Sequence, residues 1–385
     1  MNCDAVNSIS LVQSRNSLPQ IFENRHGKRI PRRIVGKPRP YLPFSPANCG
    51  QRKSVTLALR NFHKAGTGLE QFSVPGSQFP VAAMRKKIIA RTITVIVGCV
   101  LSGMANAQTH TQVVMLGVGN PNADPDRSGP AVAVVVNDTA YLVDCGPGVV
   151  RRAAAAEKAG IAALKPTKIK TVFITHLHSD HTLGYPDLIF TPWVLNRTDP
   201  LTAYGPRGLR SMTDHIEKAW KKDIQVRTRG LEQANRTGYK VVVHEISPGV
   251  VYRDANVTVT AFLVKHGTWD QAFGYRFDTA DRSVVISGDT APTDAVVAAC
   301  NGCDVLLHEV YNPNGDELKE THWKEYFRTF HTSPQELGDI AWRARPKLLV
   351  LYHLSLEKLP EADLVEQVGK YYSGKFVAAH DLGVY

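Results

Sequence analysis

The sequence predicts an α/β fold, and three observations carry that prediction. Apolar runs of strand length alternate with helical segments from about residue 113 to Tyr385. Several of these runs end in a single His or Asp. One of them, Thr171-Val172-Phe173-Ile174, leads straight into Thr175-His176-Leu177-His178-Ser179-Asp180-His181. Open α/β sheets gather side chains from distant segments beyond their strand ends in this way.

Taken in order, β-branched and apolar runs predict strands at 113–117, 131–136, 139–144, 171–175, 240–246, 257–264, 273–279, 283–287, 304–309 and 347–353. Helical patterning predicts helices near 147–160, 207–222, 292–300, 333–345 and 360–372. Gly205-Pro206-Arg207 opens the second of these. Ser333 supplies an N-cap and Pro334 a first helical position for the fourth. Gly230 to Gly238 reads as a surface loop, and the chain carries neither internal repeats nor low-complexity tracts.

The His-rich run reads as a metal site. His176 and His178 lie two apart, so in an extended loop they project to the same side and can bind one ion. Asp180 and His181 then turn toward a second ion. Imidazole with carboxylate suits zinc, and manganese and iron also accept such ligands. A plain polar loop would draw on Gly, Pro, Asn and Ser rather than on three His and an Asp. Further donors stand after other strands: Val257–Val264 delivers His266, Ser283–Gly288 delivers Asp289, and Leu348–Tyr352 delivers His353.

With these residues in place, the chain from about Val113 to Tyr385 resembles the metallo-β-lactamase superfamily. The resemblance implies a four-layered αβ/βα sandwich with a site for two divalent metal ions, zinc first, manganese or iron as alternatives. It places His176, His178 and His266 on the first ion, Asp180, His181 and His353 on the second, and Asp289 between them. Phe273-Gly274-Tyr275-Arg276-Phe277, Ser287-Gly288-Asp289-Thr290, His308-Glu309 and His331-Thr332-Ser333 are similar to the ribonuclease Z branch and its arylsulfatase-like relatives. Tyr204–Gly208, Lys218-Ala219-Trp220 and Ala272–Arg276 extend the likeness to the arylsulfatase-like branch. Two cations ~3.5–4 Å apart would make a hydroxide between them a nucleophile at neutral pH. Asp180 and His331 are the candidate catalytic residues, Asp180 as a ligand and His331 as general acid. Asp144 and Glu309 are candidates to orient the ligands. Gly117–Pro121 and Arg127–Pro130 would form a loop over the site, and Trp193, Trp220, Trp269 and Tyr275 are read as either pocket walls or core.

The formal charge of +11 suggests a nucleic-acid partner, yet it is concentrated at one end. Residues 1–83 hold 12 Lys+Arg against 3 Asp+Glu, and 84–107 hold 4 against none, which leaves a net of −2 from Gln108 onward. The body is therefore not basic, and an RNA partner is disfavoured. Met84-Arg85-Lys86-Lys87, an apolar stretch from Ile88 to Leu101 and Ala105-Asn106-Ala107 read as a secretory signal peptide cut before Gln108. Residues 1–83 are then a disordered basic leader or lie upstream of a start at Met84, and lipid attachment at Cys99 is a rival. The hydrolase domain spans 108–385, with no stable membrane span and a homodimer left open. Of six Cys, Cys145, Cys300 and Cys303 remain in that domain, the last two as a local disulfide or as buried thiols.

Three functions follow as expectations. The first is a periplasmic or secreted hydrolase of a small sulfate or phosphate ester, arylsulfatase-like. The second is a ribonuclease Z-type 3′-tRNA-processing phosphodiesterase. In that branch a long RNA-clamping arm sits between the positions of His266 and Asp289, which here are separated by only 22 residues. The third is a non-catalytic metal-binding protein of the same fold.

Overall fold

Alternate side chains of a strand turn to opposite faces, and here both faces of each sheet are covered. The computed structural model describes residues 110–318, 320–356 and 358–385. The leader and signal-peptide readings, and the cleavage site before Gln108, fall outside these residues. The first half runs β1 (Thr111–Gly117), β2 (Ala131–Val136), β3 (Thr139–Val143), α1 (Val149–Lys158), β4 (Thr171–Phe173), α2 (Ser179–Thr182), α3 (Tyr185–Val194), β5 (Leu201–Gly205), α4 (Leu209–Ala219), α5 (Lys221–Arg229) and β6 (Val241–Glu245). Its strands form one sheet in the order β1-β2-β3-β4-β5-β6. The second half runs β7 (Gly249–Arg253), β8 (Val257–Leu263), β9 (Phe273–Thr279), β10 (Ser283–Ile286), α6 (Asp294–Cys300), β11 (Val305–Tyr311), α7 (Thr321–Phe330), α8 (Pro334–Ala344), β12 (Leu348–Ser355), α9 (Glu361–Tyr371) and β13 (Phe376–Ala378). Its sheet has the order β13-β12-β11-β10-β9-β8-β7.

Each half begins as an antiparallel meander and ends as parallel strands linked through helices. The period of two then sorts the core into three apolar layers. Val113 and Met115 of β1, with Tyr141 and Val143 of β3, meet Phe273, Tyr275 and Phe277 of β9 between the sheets. Val114, Leu116 and Leu142 face the other way, onto α1 and α3. On the far side, Val285, Leu306 and Leu349 pack on Val296, Leu337, Ile340 and Leu364 of α6, α8 and α9. The result is the four-layered αβ/βα sandwich. Among the described residues no helix is long and apolar enough to cross a membrane.

The observed helices depart from the predicted ones where proline and aromatic residues obscure the pattern. The helix expected over 207–222 is two, α4 and α5, broken at Trp220. α3 has no counterpart among the predicted helices, and it contains two prolines, which interrupt a local helical pattern. Pro186 sits in its first turn, where no N–H is required, but Pro192 lies inside the helix. A proline there leaves the carbonyl four residues back, that of Leu188, without its helical donor. Arg197 takes over: its Nη1 donates to Leu188 O at 3.0 Å and its Nη2 to Ile189 O and Gly238 O, both at 2.9 Å. The guanidinium is 2 % exposed, and burial lowers its pKa to about 10. α7, which has no strong start signal, was also missed. Ser333 and Glu336 form a capping box on α8 with Pro334 in its first turn, as the local sequence predicts. Cys300 and Cys303 are disulfide-bonded, and Cys145 is a buried thiol.

Replacing Arg197 by Met would leave the Leu188 carbonyl, which Pro192 deprives of its helical donor, and the Gly238 carbonyl buried without the guanidinium that serves them. The expected loss is about 3 kcal/mol or more of unfolding free energy, read from denaturant midpoints at unchanged m-value.

Candidate metal centre

Four chain segments converge at one edge of the two sheets. Ile174 extends β4 by donating to Tyr204 O at 2.7 Å, and the next residue, Thr175, is turned by Asp144 at the end of β3. Asp144 has φ 61°, which turns its carboxylate back toward the loop. There Oδ1 accepts from Thr175 N at 2.8 Å, and Oδ2 accepts from Thr175 Oγ1 at 2.9 Å and from His181 Nδ1 at 2.8 Å. His176 and His178 follow in the loop, and α2 starts immediately afterwards, presenting Asp180 and His181. From the other sheet, β8 leads to His266 and β10 to Asp289. Gly288 between them has φ 63°, and a Cβ there would approach Phe273 O to 2.8 Å, so a glycine is required for the turn.

His353 arrives differently from the expectation. The sequence predicts a strand over 347–353 that ends in His353, but β12 continues to Ser355. The register against β11 slips there: Glu309 pairs with Tyr352 and Val310 with Leu354. His353 is the extra residue of a β-bulge, with φ 49°. Bulges re-aim a side chain without ending the strand, at the cost of local backbone strain.

The donors fall into two groups. One donor atom from each of His176, His178, His266 and Asp289 lies within 4.8 Å of the others, and the same limit holds for Asp180, His181 and His353. His178 Nδ1 stands 2.9 Å from His176 Nε2 and 3.1 Å from His266 Nε2. Asp289 Oδ2 is 3.4 Å from both His181 Nε2 and His353 Nε2, so this carboxylate stands between the groups. The opposite ring atoms of most imidazoles are held. His266 Nδ1 meets Phe330 O at 2.9 Å, His176 Nδ1 meets Thr175 Oγ1 at 3.0 Å, and Trp269 Nε1 donates to His178 Nε2 at 2.9 Å. Such partners set which ring nitrogen is free to bind a metal.

Charge in this buried place is shared among the donors. Burial lowers the pKa of His176 well below the ordinary range, reinforced by His181, and lowers His266 to about 4. For His181 burial acts in the same sense, but Asp289, Asp144 and Asp180 outweigh it and raise the pKa well above the usual value. Burial would raise Asp289, and His353 and His181 reverse this and hold it well below the carboxylate range. His181 Nε2 and Asp289 Oδ1 are fully buried without a hydrogen bond. Converging imine nitrogens and carboxylates with unsatisfied inner atoms fit divalent cations, which supply the partner these atoms lack.

His331 closes the far side of the site, its ring 6.0 Å from that of His353 and 5.4 Å from that of His266. Burial lowers its pKa to about 4. Its Nδ1 faces Glu309 Oε2 at 3.4 Å, and neither atom has a hydrogen bond elsewhere. Burial and then Asp289 raise the pKa of Glu309 well above the carboxylate range. Of the two orienting carboxylates expected from sequence, Asp144 does reach a donor imidazole. Glu309 instead serves His331, and its Oε1 accepts from Thr332 N at 2.9 Å.

A cavity of about 520 Å³ opens over the donors, lined by His178, Asp180, Asp289, His331 and His353, by Asn120, Pro121 and Asn122 of the predicted loop, and by Trp323, Tyr326 and Phe327 of α7. The α7 aromatics are functional candidates that sequence reasoning missed. Of the aromatic residues considered from sequence, Trp193 and Tyr275 are core, Trp220 stacks on Phe190, and Trp269 alone touches the site. Asp144→Asn is expected to weaken metal binding ~10–100-fold through loss of the His181 tautomer, measured by competition with a chromophoric chelator while circular dichroism stays unchanged.

Comparison with known proteins agrees with this architecture. Residues 139–354 match the beta-lactamase superfamily domain. The chain is 35 % identical over 244 residues to ribonuclease Z of Mycobacterium sp. (strain KMS), covering 63 % of this chain and 83 % of that protein. It is 33 % identical over 246 residues to ribonuclease Z of Mycobacterium bovis (strain BCG / Pasteur 1173P2), covering 63 % and 85 %. Among solved structures, human tRNase Z, short form, superposes with a TM-score of 0.53 at 25 % identity, covering 71 % of this chain and 98 % of that one. The metallo-beta-lactamase fold protein YhfI from Bacillus subtilis superposes with a TM-score of 0.55 at 18 % identity, covering 71 % and 98 %. The chain belongs to the metallo-β-lactamase superfamily, in its ribonuclease Z branch, and is a metal-dependent hydrolase.

Proposed function

We propose that this protein hydrolyses phosphodiesters by ribonuclease Z-type chemistry, with the 3′ end of an RNA as the substrate to test first. The observation that carries this reading is the placement of Asp289 between two groups of donors, 3.4 Å from both His181 and His353. His176, His178 and His266 would hold one zinc ion, Asp180, His181 and His353 a second, and Asp289 both. Bound there, two cations would lower the pKa of water and neutralise negative charge developing at phosphorus. Asp144, Thr175, Trp269 and the Phe330 carbonyl keep the donor imidazoles in register. His331, backed by Glu309 and lining the cavity, is placed to give a proton to the departing oxygen.

The relatives favour this ribonuclease Z-type reading over the small sulfate or phosphate ester expected first from sequence. A second reading, an exported hydrolase of small phosphate or sulfate esters, draws on three other observations. Half of the 22 residues between His266 and Asp289 lie in β9 and β10, which leaves little chain for an RNA clamp. The chain from Gln108 carries a net charge of −2, and residues 84–107 carry the pattern of a signal peptide. The Cys300–Cys303 disulfide accords with an oxidising compartment.

The full chain loaded with zinc is expected to bind two metals and to hydrolyse a 3′-extended transfer RNA or bis(p-nitrophenyl) phosphate faster than p-nitrophenyl sulfate. Faster sulfate cleavage would transfer the assignment to the second reading, and metal without turnover on any ester would sink both. His178→Ala should lose both metal and activity. His331→Ala should keep both metals and lower kcat by ~10²–10⁴-fold.

A further inference from the structure

α7 carries Trp323, Tyr326, Phe327 and Phe330 at spacings of three and four, which places all four on one helix face. Phe327 is buried against Tyr311, but Trp323 remains 48 % exposed. Tyr326 stacks on Phe330 at 4.3 Å and stands 5.5 Å from Trp323 and 5.7 Å from His331. A ladder of rings therefore runs from solvent at Trp323 to the side chain that faces the reacting centre. The same cavity is also lined by the loop of Asn120, Pro121 and Asn122. Asn120 is pinned there, its Nδ2 donating to Leu354 O at 3.0 Å and its Oδ1 accepting from Asn122 N at 2.9 Å.

We infer that this slot binds a planar aromatic ring on the leaving-group side of the substrate. The inference deepens the proposed phosphodiesterase reading and rests on it for the identity of the scissile bond. A leaving oxygen protonated by His331 must lie next to that imidazole, and the group attached to it then extends along Tyr326 toward Trp323. Stacking on an aromatic face is tolerant of ring type and strengthens with area, so a ladder of rings selects a flat aromatic group over a sugar or alkyl chain of equal size. Glu320, an exposed residue of the same lining, disfavours a ring that carries a negative charge of its own. The cavity of about 520 Å³ has the size of a site for a small molecule or a single nucleoside. Two sources supply such a ring: the terminal nucleoside of an RNA and the aryl group of a simple ester.

The test measures competitive inhibition of bis(p-nitrophenyl) phosphate hydrolysis by zinc-loaded full chain, and in parallel the quenching of tryptophan fluorescence, with adenosine, phenol, ribose and cyclohexanol as probes. The two rings should inhibit at concentrations ~10-fold or more below their non-aromatic counterparts, and adenosine should quench. Trp323→Ala should abolish that preference and Trp323→Phe should keep most of it, both with two metals bound. Tighter binding of adenosine than of phenol identifies the nucleoside, and the reverse order identifies the aryl ester. Equal inhibition by adenosine and ribose, or a preference that survives in Trp323→Ala, would overturn the inference while leaving the phosphodiesterase assignment standing. Quenching that depends on Trp323 in a protein without phosphodiester hydrolysis would do the opposite: the ring site would stand and the assigned reaction would fall.

Discussion

The crowding of five imidazoles and the Asp180 carboxylate around Asp289 is the constraint on which the rest of the site depends. Lone pairs that point at one another from 2.9 to 3.4 Å repel unless a proton or a cation lies among them. Burial depresses the pKa of His176 and His266, whereas at His181 the carboxylates of Asp289, Asp144 and Asp180 outweigh burial and raise it. Divalent cations resolve the conflict for all of these side chains together, which is why the donor set makes chemical sense as a metal centre.

Holding such a cluster requires rigid support, and the two sheets provide it. The donors leave the ends of β4, β8 and β10, while Asp144 at the end of β3 ties Thr175 and His181 to one carboxylate. Positive φ, and at Asp144 and His353 the backbone strain that goes with it, also occurs at this edge. Three well-packed apolar layers oppose that strain. The bulge at His353 also shows economy of chain: β12 supplies a donor in mid-strand and still continues to Ser355 to complete its pairing with β11.

Above the donors, the chemistry of the walls decides what can enter. The cavity is lined by the pinned loop of Asn120 to Asn122, by aromatic residues of α7 and by His331, which Glu309 backs. A metal centre by itself cleaves many esters, and the selection among them is made by these walls.

Local sequence determined more of the donor set than of the cavity. His176, His178, Asp180 and His181 are legible because four donor side chains fall within six residues, and His266 and Asp289 because each follows an apolar run. The α8 cap at Ser333 is legible for the same reason, since capping chemistry lies within three residues. Tertiary structure alone decided the rest. The bulge at His353 arises from register against β11, the pairing of Glu309 with His331 joins residues 22 apart in sequence, and α3 survives Pro192 only because Arg197 folds back onto its carbonyls. The same holds for the aromatic residues: Trp193, Tyr275 and Trp323 are alike as letters, and only the packing of helices on sheets buries the first two and leaves the third at the mouth of the site. Which donors exist is written along the chain, but which side chains face them depends on contacts between segments that no local pattern encodes.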